Sequence, residues 1–102
     1  MSINKLLMHY DKLDYSIQNQ LRRASLSILL NIAEGSGRRT NLEKRNFYSI
    51  AKGSVYENVA VLDLLKELKI LSGDEYQQYY KLLEELSKML SAMINNLSNA
   101  KT

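Results

Sequence analysis

The sequence predicts an all-α protein, a bundle of antiparallel helices, on three observations. Proline is absent and glycine is limited to four of the 102 residues, so long stretches carry no helix breaker. Apolar residues recur at alternating steps of three and four over most of the chain, the period of one helix face. Short turns containing serine and glycine separate these segments, which makes successive helices antiparallel neighbours. A chain of this length supports one domain, residues 1–102, with one modest core.

Ile3, Leu6, Leu7, Tyr10 and Leu13 predict a first helix over about 3–13. Ile17, Leu21, Ala24, Ile28 and Ile32 predict a second over 16–35, with Asp14 or Ser16 as its cap. Gly35 and Gly37 end it, since glycine accepts the left-handed geometry of a helix C-terminus. Thr40-Asn41-Leu42-Glu43 has the form of a capping box and opens a third helix over 41–71. Its apolar face runs through Phe47, Ala51, Ser54, Asn58, Val61, Leu65 and Leu68. Ser72-Gly73 breaks the pattern, and Ser72 with Glu75 offers a second capping box. The last helix, 74–97, carries Tyr79, Leu83, Leu86, Leu90, Met93 and Leu97. Seven-residue spacing held over several turns favours near-parallel packing at ~20° crossing angles. The first helix is much shorter than the rest and leaves a seam uncovered. An exposed apolar stripe is most simply hidden by another subunit, so a homo-oligomer is expected.

Several kinds of chemistry lack the residues they need. Without cysteine there is neither a disulfide framework nor a thiolate metal site. His9 is the only histidine, and no Glu-x-x-His pair accompanies it, so no metal and no cofactor are expected. No serine lies in a G-x-S-x-G elbow. Gly35-Ser36-Gly37 lacks the G-K-[ST] ending of a phosphate-binding loop and reads as a helix stop. Glu34 and Glu57 fall in mostly apolar segments, where a buried carboxylate needs a cation or a hydrogen-bond donor. Arg22, Arg23, Arg38 and Asn31 are the candidates, so the pair is read as a register-fixing polar network ahead of an acid–base pair. The tyrosines are read as packing residues. Met1 is followed by no basic-then-apolar leader, and no apolar run approaches the ~18 residues of a membrane span. A cytoplasmic, non-enzymatic protein is expected.

Charge is the remaining guide. The net charge of +3 is uneven. Residues 1–55 hold nine Lys/Arg against four Asp/Glu, a net of +5, and residues 56–102 hold five against seven, a net of −2. A basic half suits an anionic partner, nucleic acid above all. Arg22, Arg23, Arg38, Arg39, Lys44 and Arg45 all lie on the second helix or around its turn into the third. Lys44 and Arg45 sit against the dipole of their own helix N-terminus, which hints at a use other than stability. Guanidinium groups grip phosphate oxygens, and helix N-terminal amides add to an anion site.

Read together, Gln20-Leu21-Arg22-Arg23-Ala24, Asn31-Ile32-Ala33-Glu34-Gly35, Gly37-Arg38, Ala51, Gly53-Ser54 and Glu57 form a pattern. It resembles the bacterial four helix bundle protein family, whose founding members are encoded in intervening sequences of large ribosomal RNA genes. The resemblance runs from about Tyr15 to Leu97. It implies an antiparallel up-and-down four-helix bundle assembling into a ring, typically a homopentamer. It also implies a cytoplasmic protein, not an enzyme, that binds nucleic acid through basic surfaces. A related branch serves diversity-generating retroelements as an accessory protein bound to reverse transcriptase and template RNA. Carried onto this sequence, Asn31, Glu34, Gly35, Ser54 and Glu57 form the structural signature. Arg22, Arg23, Arg38 and Arg39 become the candidates for RNA or DNA contact. Two departures stand out: the first helix is short, and Leu29-Leu30 replaces the proline common before the N-I-A-E-G segment. The expected function is thus a non-enzymatic, oligomeric RNA- or DNA-binding accessory. The alternative is a protein-interaction scaffold that docks a partner such as a retroelement reverse transcriptase.

Overall fold

The computed structural model describes residues 15–99, which form three α-helices and no strand. These are α1 (Tyr15–Ser36), α2 (Asn41–Glu67) and α3 (Gly73–Asn99). The all-α expectation holds. The helix predicted over 3–13, and His9 within it, lie outside the described residues, so the fourth helix of the expected bundle is not among the three observed.

Both predicted capping boxes form. Thr40 is the N-cap of α2 in extended geometry, and its Oγ1 accepts from the Glu43 amide at 3.1 Å. The Ser72 Oγ accepts from the Glu75 amide at 3.1 Å, while the Ser72 amide donates back to Glu75 Oε1 at 3.0 Å.

Two helix ends differ from expectation. Among the glycines none adopts positive φ, and α1 continues through Gly35 to Ser36. Gly35 serves close packing instead of a left-handed stop. It is buried, and a Cβ there would lie 2.7 Å from Tyr48 Cε1 and 3.1 Å from Phe47 Cβ. The third predicted helix was to reach Leu71, yet α2 stops at Glu67. Lys69 takes φ 60°, and the Ile70 amide closes back onto the Leu65 carbonyl at 3.0 Å, the 6→1 bond of a helix stop made without glycine. That reversal turns Leu71 back into the core, where it is 2% exposed, so the apolar period outlasts the helix.

α2 is the central element. α1 and α3 each pack along it and scarcely touch each other. One cluster at the α2–α3 turn joins Leu21, Val61, Leu62, Leu65, Leu71 and Tyr79. The other, toward the opposite end, joins Ile28, Tyr48, Ala51, Val55 and Leu90. Burying each of Leu21, Leu65 and Leu90, all at 1% exposure or less, contributes about 2–3 kcal/mol. Because α1 and α3 stand apart, an apolar groove of about 340 Å3 opens between them, lined by Leu21, Ile28, Leu29, Leu82 and Leu86. Ser25 and Asn58 also line it.

Candidate nucleic-acid interface

The six basic residues do not form one cluster. Arg22 and Arg23 lie in the first half of α1. Arg38, Arg39, Lys44 and Arg45 gather where α1 turns into α2. Ser36 lies thirteen positions after Arg23 on α1, roughly 20 Å at ~1.5 Å per residue.

At the turn, three of the four cations are engaged. Arg38 Nη2 pairs with Glu34 Oε2 at 2.9 Å, Nη1 approaches Glu43 Oε2 at 3.9 Å, and the guanidinium sits 4.7 Å from the centre of the Phe47 ring. Lys44 Nζ donates to the Ser36 carbonyl at 3.1 Å and reaches the Gly35 carbonyl at 3.5 Å. Its position against the dipole of α2 therefore has a structural use, since the same charge lies favourably at the C-terminal carbonyls of α1. Arg45 Nη1 donates to Ser98 Oγ at 3.2 Å and ties α2 to the end of α3. Arg39, Arg22 and Arg23 are exposed and make no ion pair or hydrogen bond among the described residues. Among the described residues the four cations of the turn meet two carboxylates, Glu34 and Glu43, which leaves the turn net positive. At the α2 N-terminus the Thr40 hydroxyl takes one of the first-turn amides, that of Glu43.

The polar signature residues divide as well. Asn31 Nδ2 donates to the Ser27 carbonyl at 2.7 Å and to Ser27 Oγ at 3.1 Å. Ser54 Oγ, 3% exposed, donates to Ser27 Oγ at 2.6 Å. These two do form an interhelical network, with Ser27 at its centre. The expectation of buried carboxylates fails. The Glu34 side chain is 56% exposed in a surface i,i+4 pair, worth about 0.3–0.5 kcal/mol. Glu57 is exposed, in a notch with Gln20, Ala24, Ala60 and Leu64, whereas Glu34 lines another with Ala33, Gly37 and Arg38. Glu34 and Glu57 share no cleft, so these two do not form a paired-carboxylate site. The apolar context misled because α1 carries leucines even on its uncovered sides.

Sequence reasoning missed Ser27 and Asn58. Asn58 is 6% exposed, donates from Nδ2 to the Ser54 carbonyl at 2.9 Å, and accepts from Ser25 Oγ at 3.1 Å. Asn58 on the apolar face of α2 was the available signal. Among the described residues no group of three His, Cys, Asp or Glu side chains could hold a metal ion, and no helix is long and apolar enough to cross a membrane.

Three antiparallel helices with a cationic end define a small helical-bundle protein. Over residues 1–92 the chain matches the family described as 23S rRNA-intervening sequence protein, and it belongs to that family. No protein of curated function matches it.

Proposed function

We propose that the protein is a non-enzymatic, oligomeric accessory that binds RNA or DNA through its exposed arginines. The observation that carries this reading is three guanidinium groups without a partner among the described residues: Arg39, at a turn whose other cations outnumber their carboxylates, and Arg22 and Arg23, a separate pair in the first half of α1. An arginine without a protein partner keeps its planar donor fork for a phosphate. Binding of this type releases counterions and weakens steeply with salt.

The assembled form belongs to the same proposal. Leu29 and Leu30 are 66% and 60% exposed on α1, and Ile50 and Leu64 are 53% and 39% exposed on α2. Adjacent exposed leucines on one helix make an apolar surface suited to being covered. Residues 3–13 as a fourth helix, together with neighbouring copies in a head-to-tail ring, would supply that cover. The pentamer and the cytoplasmic location rest on the family resemblance alone.

The test is binding to generic RNA and duplex DNA across a salt series. Arg22→Ala, Arg23→Ala and Arg39→Ala combined are expected to weaken binding and flatten its salt slope, with helix content unchanged. Affinity that ignores salt and these substitutions would sink the reading. A second reading, a scaffold docking a protein partner such as a reverse transcriptase, draws on the apolar α1–α3 groove. It predicts little direct affinity for nucleic acid.

A further inference from the structure

A second surface lies along the seam between α2 and α3. Tyr56 and Tyr80 line a notch of about 270 Å3 there with Val55, Val59 and Leu83, and no α1 residue borders it. The two rings remain 57% and 37% exposed. Tyr80 is backed by Tyr76, whose ring stacks on it at 5.8 Å between centroids with planes 29° apart. Tyr76 is itself fixed: its hydroxyl donates to Asp63 Oδ1 at 2.6 Å, and Lys66 Nζ sits 4.5 Å from its ring centre. Tyr56 shares the notch with Ser87. A held ring with an open face, as Tyr80 is, loses little freedom when something stacks on it.

Cations interleave with these aromatics. Lys52 Nζ lies 6.0 Å from the Tyr56 ring centre, and Lys88 lines the notch. The carboxylates in the seam, Asp63 and Glu84, are engaged by the Tyr76 hydroxyl and by Lys88 at 3.9 Å. Glu84 and Lys88 balance each other in the notch, and Lys52 beside Tyr56 adds a positive charge at its edge.

We propose that the α2–α3 seam binds single-stranded nucleic acid, with unpaired bases stacking on Tyr56 and Tyr80 and phosphates meeting Lys52 and Lys88. The proposal rests on the nucleic-acid reading above and adds to it a place and a strand state. Stacking on recessed rings requires bases free of a duplex, and any base offers a π-face, so the site selects strand state over sequence. A proline-rich peptide could also lie on tyrosines, but it brings no negative charge to the flanking lysines.

Fluorescence anisotropy with a labelled oligouridylate and an RNA duplex of equal length tests this on the full chain. Tyr56→Ala and Tyr80→Ala are each expected to weaken oligouridylate binding about 5- to 100-fold and to leave duplex binding unchanged. Tyr56→Phe and Tyr80→Phe retain the stacking face and are expected to bind as the parent does, with circular dichroism confirming the fold throughout. Equal losses on single strand and duplex, no loss at all, or a preference for a proline-rich peptide would overturn the seam site. If oligouridylate binding ignores both tyrosines yet falls with salt and with the arginine substitutions, the seam fails while the broader reading stands. If the parent protein binds neither nucleic acid, both fail.

Discussion

The Ser54 hydroxyl donates to the Ser27 hydroxyl at 2.6 Å, a polar rung between α2 and α1. A second rung lies beside it, where Ser25 Oγ donates to Asn58 Oδ1 at 3.1 Å. Sliding either helix by one residue would break both, and a buried polar group without a partner is costly. The rungs therefore set the register in which the surrounding apolar side chains mesh.

Removing one rung should be measurable. Ser54→Ala is expected to lower unfolding free energy by about 1 kcal/mol in urea melts. Combined with Ser27→Ala, the loss should be smaller than the sum of the two singles, because both delete the same bond. Strict additivity would show that the bond contributes nothing of its own.

Gly35 and Gly53 make opposite predictions for the same substitution. A methyl at Gly35 would lie 2.7 Å from the ring of Tyr48, which is 6% exposed and whose hydroxyl is within 3.1 Å of Ser36 Oγ. That ring has nowhere easy to go, so Gly35→Ala should cost about 1–3 kcal/mol. Gly53 has nothing within 4 Å of its would-be Cβ and sits inside α2. Gly53→Ala should therefore stabilise the chain by about 0.5–1 kcal/mol. Thermal melts of the two variants should move in opposite directions.

Most helix positions were legible because their signals are local. The Thr40–Glu43 and Ser72–Glu75 boxes are sequence spacings that the backbone obeys. What was illegible depends on tertiary contact. Lys44 reads as a misplaced charge until α1 brings its own carbonyls to it. Glu34 sits between Ala33 and Gly35 and reads as buried, yet its side of α1 is open. Arg23 and Arg38 look like parts of one cluster in the sequence, but a helix between them holds them apart. The α2 stop was hidden because Leu68 and Leu71 continue the period beyond it, and because the left-handed residue is a lysine.

Lys69 carries its own prediction. Its φ of 60° is a conformation that costs a side-chain-bearing residue about 1–2 kcal/mol and costs glycine nothing comparable. Lys69→Gly is expected to stabilise the protein by about 1 kcal/mol, a rise in Tm of about 5 °C for a domain of this size. An unchanged or lower Tm would mean that the αL turn is not the relaxed geometry of this segment.

Tyr76 supplies a pH dependence with a definite sign. Its hydroxyl donates to Asp63, which pushes its pKa from 10.0 up to about 12, with desolvation adding to the shift. The folded state thus favours the protonated phenol. This contribution is fully present below pH 10.0 and is lost as pH rises toward about 12. An absorbance titration should find one tyrosine ionising late, and Asp63→Ala should return it to the ordinary range. The late fraction persisting in that variant would place its cause elsewhere.

The uncovered sides of α1 give the sharpest test of assembly. Leu29 faces the α1–α3 groove, whereas Leu30 follows it by one residue and points about 100° further round the helix. Light scattering is expected to give a mass that is a multiple of the 11.7 kDa chain. Leu30→Asp, at a position 60% exposed on the isolated chain, should reduce that mass without loss of helix content. Leu29→Asp separates two ways of covering the groove. A fall in mass assigns the cover to a second copy. An unchanged mass with a lower Tm assigns it to residues 3–13 of the same chain. A parent protein that is monomeric at micromolar concentration would remove the ring from the proposal, and would leave the leucines of α1 free to meet a different partner.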